Sequence, residues 1–409
     1  MSSKSSNIFT GLVLTGIALI YFSLHLFPIV KSLQYVPNEK LIIPVWLFFL
    51  VLFKHKILFN KEFYILLIFL FVHVLFLAIN NYYLLDPRTS ETQADIFLAL
   101  FFCISFFLFL KTENNERFNT LMFWIFTISI VVTGGATIIA TLKNPLAVRS
   151  MIGTQDYENV RALLSQNVGG YSFQYMVALI SPLFLYAVKQ TKNLMWYVPF
   201  LIGTLSVLFS QVFGIIIVHI LNAFSVYFIL NTKNLKKYLS RIALLAIILS
   251  YSKKAIALLL IWFAEILNSF EQTHMKLLEL GNSIMDDGMI DTNAGYTEIY
   301  ASRFETSLNA FYNSPILGGN PSGGHHFWID NLAEHGLIGT LPWLLVLIVF
   351  YKYISTVCNK LETLLILNTI IMFVIIGLTK NILIQSMPMY LFFIAPIVIL
   401  YFRNKKIKK

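Results

Sequence analysis

The chain has 409 residues, of which 57% are hydrophobic and 12% charged, against about 25% charged residues in an ordinary soluble domain. That composition excludes a soluble globular enzyme, because the apolar surplus exceeds what one buried core can use. The formal charge of +10 invites a nucleic-acid partner, but the basic residues lie between apolar runs rather than on one exposed face, so no nucleic acid is expected.

A helix needs about 20 mostly apolar residues to cross a membrane. In chain order that ruler selects spans near 8–30, 41–53, 63–80, 95–110, 118–141, 171–188, 195–210, 212–230, 239–252, 337–351, 361–378 and 386–402. The first is too long for the apolar core of a secretory signal and reads as a span. Between Met195 and Leu230 no residue is charged. One continuous helix there would be about 54 Å long, so the chain must fold back near Ser210 and Gln211. Lys253 and Lys254 interrupt the apolar run 242–264, and two Lys at mid-bilayer cost roughly 5 to 7 kcal/mol. The ninth span is therefore expected to end there, with 255–267 lying along the interface as an amphipathic segment.

These spans divide the chain into N-terminal helices (1–141), a first long loop (142–170), central helices (171–251), a large loop (252–336), C-terminal helices (337–402) and a basic tail (403–409). Of the two sides they alternate between, one collects 19 Lys and Arg and 4 acidic residues, a balance of +15; the other collects 11 and 16, a balance of −5. Basic residues concentrate on the cytoplasmic side of membrane proteins, which places both termini there and both long loops outside. The expected fold is all-α: a polytopic protein of the cytoplasmic (inner) membrane with about 12 transmembrane helices and a large extracytoplasmic loop before the last three. Cys103 and Cys358 lack metal-site or disulfide spacing and read as packing residues. His73 and His219 fall inside spans and are expected to be neutral and bonded to neighbouring helices. The 37 Phe are expected to face lipid.

Chemistry concentrates in the large loop. A Gly- and Pro-rich stretch, Ser314-Pro-Ile-Leu-Gly-Gly-Asn-Pro-Ser-Gly-Gly, is turn-forming and delivers His325 and His326 to the mouth of the next span. Residues 327–335 read as a short helix, on which Asp330 and Glu334 follow His326 at intervals of four and share one face with it. Gly336 and Gly339 permit close packing or a turn into the span. Upstream, Arg303 opens an amphipathic stretch with Phe304, Leu308 and Phe311 on its apolar side. In the first loop, Arg149 and Arg161 precede Ser-Gln-Asn167-Val-Gly-Gly. A guanidinium stays charged and forks around phosphate oxygens, so Arg149, Arg161, Arg303 and the two His suit a diphosphate.

The order Arg303, Ser-Pro-Ile-Leu-Gly-Gly, His325, Gly336 and Leu-Ile-Gly339 resembles the signature of the bacterial O-antigen polymerase and O-antigen ligase superfamily. There, the last large outward loop carries an Arg, a small-residue turn and a His usually followed by Asn. Here His326 stands in place of that Asn, and spacing to Gly336 favours His325 for the family role. The first loop, with Arg161 and Asn167-Val-Gly-Gly, is similar to the family's other Arg-bearing loop.

The resemblance implies glycosyl transfer on the outer face of the cytoplasmic membrane, from a glycan on undecaprenyl diphosphate to a sugar hydroxyl of another lipid-linked repeat unit. Such a scheme serves O-antigen (lipopolysaccharide), capsule or exopolysaccharide synthesis and requires no metal and no cofactor. Arg161 and Arg303 would meet the diphosphate with Arg149 beside them, and His325 or His326 would orient or deprotonate the acceptor hydroxyl. Asn167, Asp330, Glu334, Lys253 and Lys254 complete the candidate substrate contacts. Membrane lipids, a chain-length regulator and a flippase are the implied partners.

Plainer readings stand beside these. Arg149 fits a lipid headgroup contact, Arg303 a surface ion pair with Glu298 or Glu305, the two His plain turn residues, and Lys253 and Lys254 snorkelling anchors. The face of His326, Asp330 and Glu334 suits a divalent metal but has no second ligand cluster. Alternative functions are a ligase of the same superfamily and a lipid-linked oligosaccharide flippase; the flippase predicts short loops and a charged central cavity.

Overall fold

The computed structural model describes residues 3–33, 39–54, 61–83, 98–99, 101–109, 116–151, 157–232, 240, 253–266, 268, 274–275, 277–279, 281–282, 296–324, 326–379 and 390–407. Among them 88% are helical and none is in a strand. In chain order the helices are α1 (Ser3–Leu26), α2 (Pro28–Lys31), α3 (Glu39–Lys54), α4 (Lys61–Tyr83), α5 (101–109), α6 (Glu116–Lys143), α7 (Ala147–Ser150), α8 (Tyr157–Ser165), α9 (Tyr171–Ile180) and α10 (Leu183–Thr191). They continue with α11 (Tyr197–Phe209), α12 (Phe213–Thr232), α13 (Lys253–Ile266), α14 (Tyr296–Asn313), α15 (Phe327–Val357), α16 (Lys360–Thr379) and α17 (Ala395–Ile407).

Among the described residues, five helical segments are long and apolar enough to cross a membrane: Arg117–Lys143, Tyr171–Thr191, Gly214–Asn231, Phe327–Val357 and Lys360–Leu378. Shorter apolar helices accompany them, among them Gly11–Leu26 and Phe63–Phe76. The chain is an all-α membrane protein. A helix that meets lipid on one side and protein on the other carries apolar residues on both faces. α4, for example, buries Phe63 and Leu66 while exposing Phe71 and Leu75. The expected span near 239–252 lies, except for residue 240, outside the described residues.

The expected reversal between 195 and 230 occurs at Ser210–Gln211, where Gln211 has a φ of 55°. Ser181 and Pro182 separate α9 from α10. Proline lacks the N–H that would bond the carbonyl four residues earlier, here that of Ala178. Asn222 of α12 supplies the donor instead, bonding Ala178 O at 2.9 Å and Leu179 O at 2.8 Å. Its own oxygen accepts from Asn368 of α16 at 2.7 Å. One proline thus recruits a polar chain across three helices. His219 bonds Thr204 of α11 at 3.0 Å, as expected of an intramembrane imidazole, and His73 packs edge-on against Trp343.

The expectation that Phe residues face lipid is corrected for the densest run. Phe101, Phe102, Phe106, Phe107 and Phe109 are all buried, because α5 lies inside the bundle, where Phe102 and Phe106 meet Trp46 edge-on. Phe22 likewise stacks on Phe393 with centroids 4.2 Å apart. Aromatic faces and edges attract one another, so this core is knit by ring contacts rather than by aliphatic interdigitation alone.

Helix ends meet in two groups. At one end Lys189 reaches Asn231 (3.3 Å), Tyr186 donates to buried Glu362 (3.1 Å), and Arg403 bonds Val357 O (2.6 Å) with Glu362 3.5 Å away. At the other end α2 packs on α8, and Trp328 donates to Val374 O at 3.0 Å. The helix expected over 255–267 forms over 253–266, burying Ala257 and Ala264 and exposing Leu258, Trp262, Phe263 and Ile266.

Candidate functional site

α15 is not one helix. Gly336 has φ 61° and ψ −168°, which divides a short helix, α15a (327–335), from the apolar α15b (337–357), and we take the membrane span to begin after the break. A broken helix orphans its flanking backbone groups, and the turn-rich segment after α14 supplies their partners. Leu337 N and Ile338 N donate to Pro315 O (2.9 Å) and Ile316 O (3.2 Å), while Glu334 O and Ala333 O accept from Gly319 N (2.8 Å) and Asn320 N (3.4 Å). The crossing is backbone on backbone. A Cβ on Gly318 would lie 2.4 Å from Gly336 N, and one on Gly336 would lie 2.3 Å from Ile316 O.

The same turn is then tied to α14. A Cβ on Gly323 would lie 2.3 Å from Arg303 O, so only glycine lets the turn lie on that helix. Ser307, one helical turn after Arg303, accepts from Gly323 N at 2.8 Å and donates to Asp330 Oδ1 at 2.6 Å. Asp330 Oδ2 accepts from His326 N at 2.7 Å. Asp330 therefore joins α14, the turn and the start of α15a.

His326 is buried, with its ring edge-on to Phe304 at 5.4 Å and Nδ1 2.9 Å from Leu378 O. A carbonyl only accepts, so Nδ1 carries a proton and donates to it. Glu334 accepts from Ser322 Oγ at 2.5 Å. Burial, with a smaller contribution from Asp330, pushes the Glu334 carboxyl up to about 7, opposed by the Ser322 bond. Burial also raises Asp330, against the bonds from Ser307 and the turn. His335, pushed down to about 4 by burial, is neutral, so its 3.8 Å approach to Glu334 is no ion pair at neutral pH.

The structure thus brings His326, Asp330 and Glu334 together around the turn and places Arg303 on the helix whose backbone the turn lies against. Arg303 is half-buried and Glu305 exposed, and no ion pair joins these two among the described residues. His325 lies outside the described residues, as do the side chains of Lys253, Lys254 and Glu298. The first loop forms a second group, packed on other helices. α8, which carries exposed Arg161, packs against α2, and α7, which carries half-buried Arg149, packs against α6.

Asn167 has a structural role in this second group. With φ 58°, it accepts from Ile29 N at 3.2 Å and donates to Thr133 at 2.8 Å. Its amide brackets α2 to α6 and fixes the loop that holds the Arg residues. Asp330 is likewise occupied with holding the turn. Ser307 and Ser322 do not stand out in the sequence; their only signal is position, four residues after Arg303 and beside Gly323-Gly324.

Among the described residues no group of three or more His, Cys, Asp and Glu side chains is arranged to hold a metal ion. No protein-family model and no curated protein matches the chain.

Proposed function

We propose that the protein polymerises oligosaccharide repeat units carried on undecaprenyl diphosphate, at the outer face of the cytoplasmic membrane. The observation that supports this best is the clamp in which Asp330 ties Ser307, on the Arg303 helix, to the backbone of His326. It ties the helix that carries Arg303 to the backbone of His326 just before the break in α15.

In the reaction, the acceptor sugar hydroxyl forms a bond to the anomeric carbon of the donor, and the bond from that carbon to the diphosphate oxygen breaks. The hydroxyl proton passes to His326 or its neighbour His325. The departing lipid diphosphate carries the negative charge, which Arg303 and Arg161 stabilise. Lipid diphosphate is already a good leaving group, so positioning and charge stabilisation are the main tasks of the protein. The scheme calls for no metal or cofactor.

The test is substitution in cells. Arg303→Ala and Arg161→Ala proteins are expected to insert normally while long glycan chains disappear and single repeat units remain. Normal chain length in both variants overturns the assignment. Transfer of finished glycan to a separate acceptor, without chain growth, would mark a ligase instead.

A further inference from the structure

The exposed side of α15b is a single apolar stripe. Leu337, Leu341, Leu344 and Ile348 follow at intervals of four, three and four and are all exposed, while Gly339, Thr340, Trp343, Val346 and Leu347 between them are buried. Residues at that spacing share one helical face, and on a helix apolar enough to cross a membrane such a face meets lipid. The stripe continues past the helix break. Leu337 N and Ile338 N donate to Pro315 O and Ile316 O, which sets the turn 315–317 against the first residues of the stripe. Ile316 and Leu317 are 60% and 59% exposed, as open as Leu337 at 54% and Leu341 at 50%.

Three features fit this turn to lipid rather than to water. From 306 to 329 the chain has no Asp, Glu, Lys or Arg. The backbone of the turn is largely provided for: Pro315 has no N–H, its carbonyl and that of Ile316 accept from α15b, and Gly318 N donates to Ser314 O at 2.9 Å. Tyr312, exposed in the last turn of α14, is of a type enriched at the headgroup level of membranes. Irregular backbone does not face the hydrocarbon itself, so the depth that suits the turn is the boundary between headgroups and acyl chains. We propose that Ile316 and Leu317 are seated in the bilayer at that boundary, as an extension of the lipid-facing stripe of α15b. The turn is tied to α14 and α15a through Ser307 and Asp330, so its depth fixes the depth of the elements that carry Arg303 and His326. The inference does not depend on the reaction proposed for them.

The experiment reconstitutes the full chain in vesicles of phosphatidylethanolamine and phosphatidylglycerol, with the photoreactive residue p-benzoylphenylalanine in place of Leu317. After illumination, phospholipid adducts are located by mass spectrometry. The same residue at Leu344, inside the span, and at Glu305, exposed on α14, gives the lipid and water references. All three positions are exposed, so the larger side chain displaces no core packing. The adduct yield at 317 is expected to lie within about twofold of that at 344 and at least tenfold above that at 305. A yield at 317 no higher than at 305 would show that the turn stands in water, and a product of doubled protein mass cross-linked through 317 would show that a second copy covers it. Either result overturns the proposal. A failed chain-lengthening assay with the expected adduct pattern intact would count against the transferase reading alone.

Discussion

Ser307 Oγ stands 2.6 Å from Asp330 Oδ1 and 2.8 Å from Gly323 N, donating to the first and accepting from the second. One hydroxyl thereby fastens the Gly-rich turn and the start of α15a to α14. Ser307→Ala leaves a buried carboxyl oxygen without this donor, at a cost of about 1–3 kcal/mol. Thermal unfolding in detergent of Ser307→Ala, Asp330→Asn and the double variant is expected to give a coupling energy of at least ~0.5 kcal/mol. Additive effects would show that the two side chains do not act together.

The helix break makes a sharper demand on one residue. Gly336→Ala places a methyl group 2.3 Å from Ile316 O at φ 61° and ψ −168°, a region essentially confined to glycine, so it combines backbone strain of about 1–3 kcal/mol with a backbone collision. Gly324 has a φ of 78°, and a methyl group added there would meet nothing within 4 Å, so Gly324→Ala carries the strain alone. Gly336→Ala is expected to lower the unfolding midpoint markedly more than Gly324→Ala. Equal shifts would mean that the crossing of Gly318 and Gly336 is looser than its geometry indicates.

Glu334 links stability to pH. Its carboxyl is raised from 4.5 to about 7, so between these values the folded protein holds a proton that the unfolded chain has lost. Stability from this group is fully present below pH 4.5 and is lost as pH rises through 7. Glu334→Gln is expected to flatten that slope in a series of unfolding midpoints from about pH 4.5 to about pH 8. A slope identical to that of the wild type would assign the dependence to other groups.

What is legible in the sequence is mainly local. The reversal at Ser210–Gln211 follows from an uncharged run too long for one membrane crossing, and the short helix 327–335 follows from spacing and the Gly after it. The partners of Asp330 and Asn167 are not legible, because Ser307 is 23 residues from Asp330 and Ile29 is 138 residues from Asn167. Side-chain type alone does not separate a substrate contact from a bracket between elements. The Phe-rich run of α5 departs from expectation for a related reason: composition marks residues that avoid water, but only packing decides whether they meet lipid or other rings.

The most direct measurement is incubation of the purified protein with a defined repeat unit on undecaprenyl diphosphate, read as bands on a gel. Wild-type protein is expected to produce a ladder of lengthened chains, and Arg303→Ala, inserted and folded alike, only the single-unit band. A wild-type reaction that leaves only the single-unit band, or a full ladder from Arg303→Ala, would contradict polymerisation at this site.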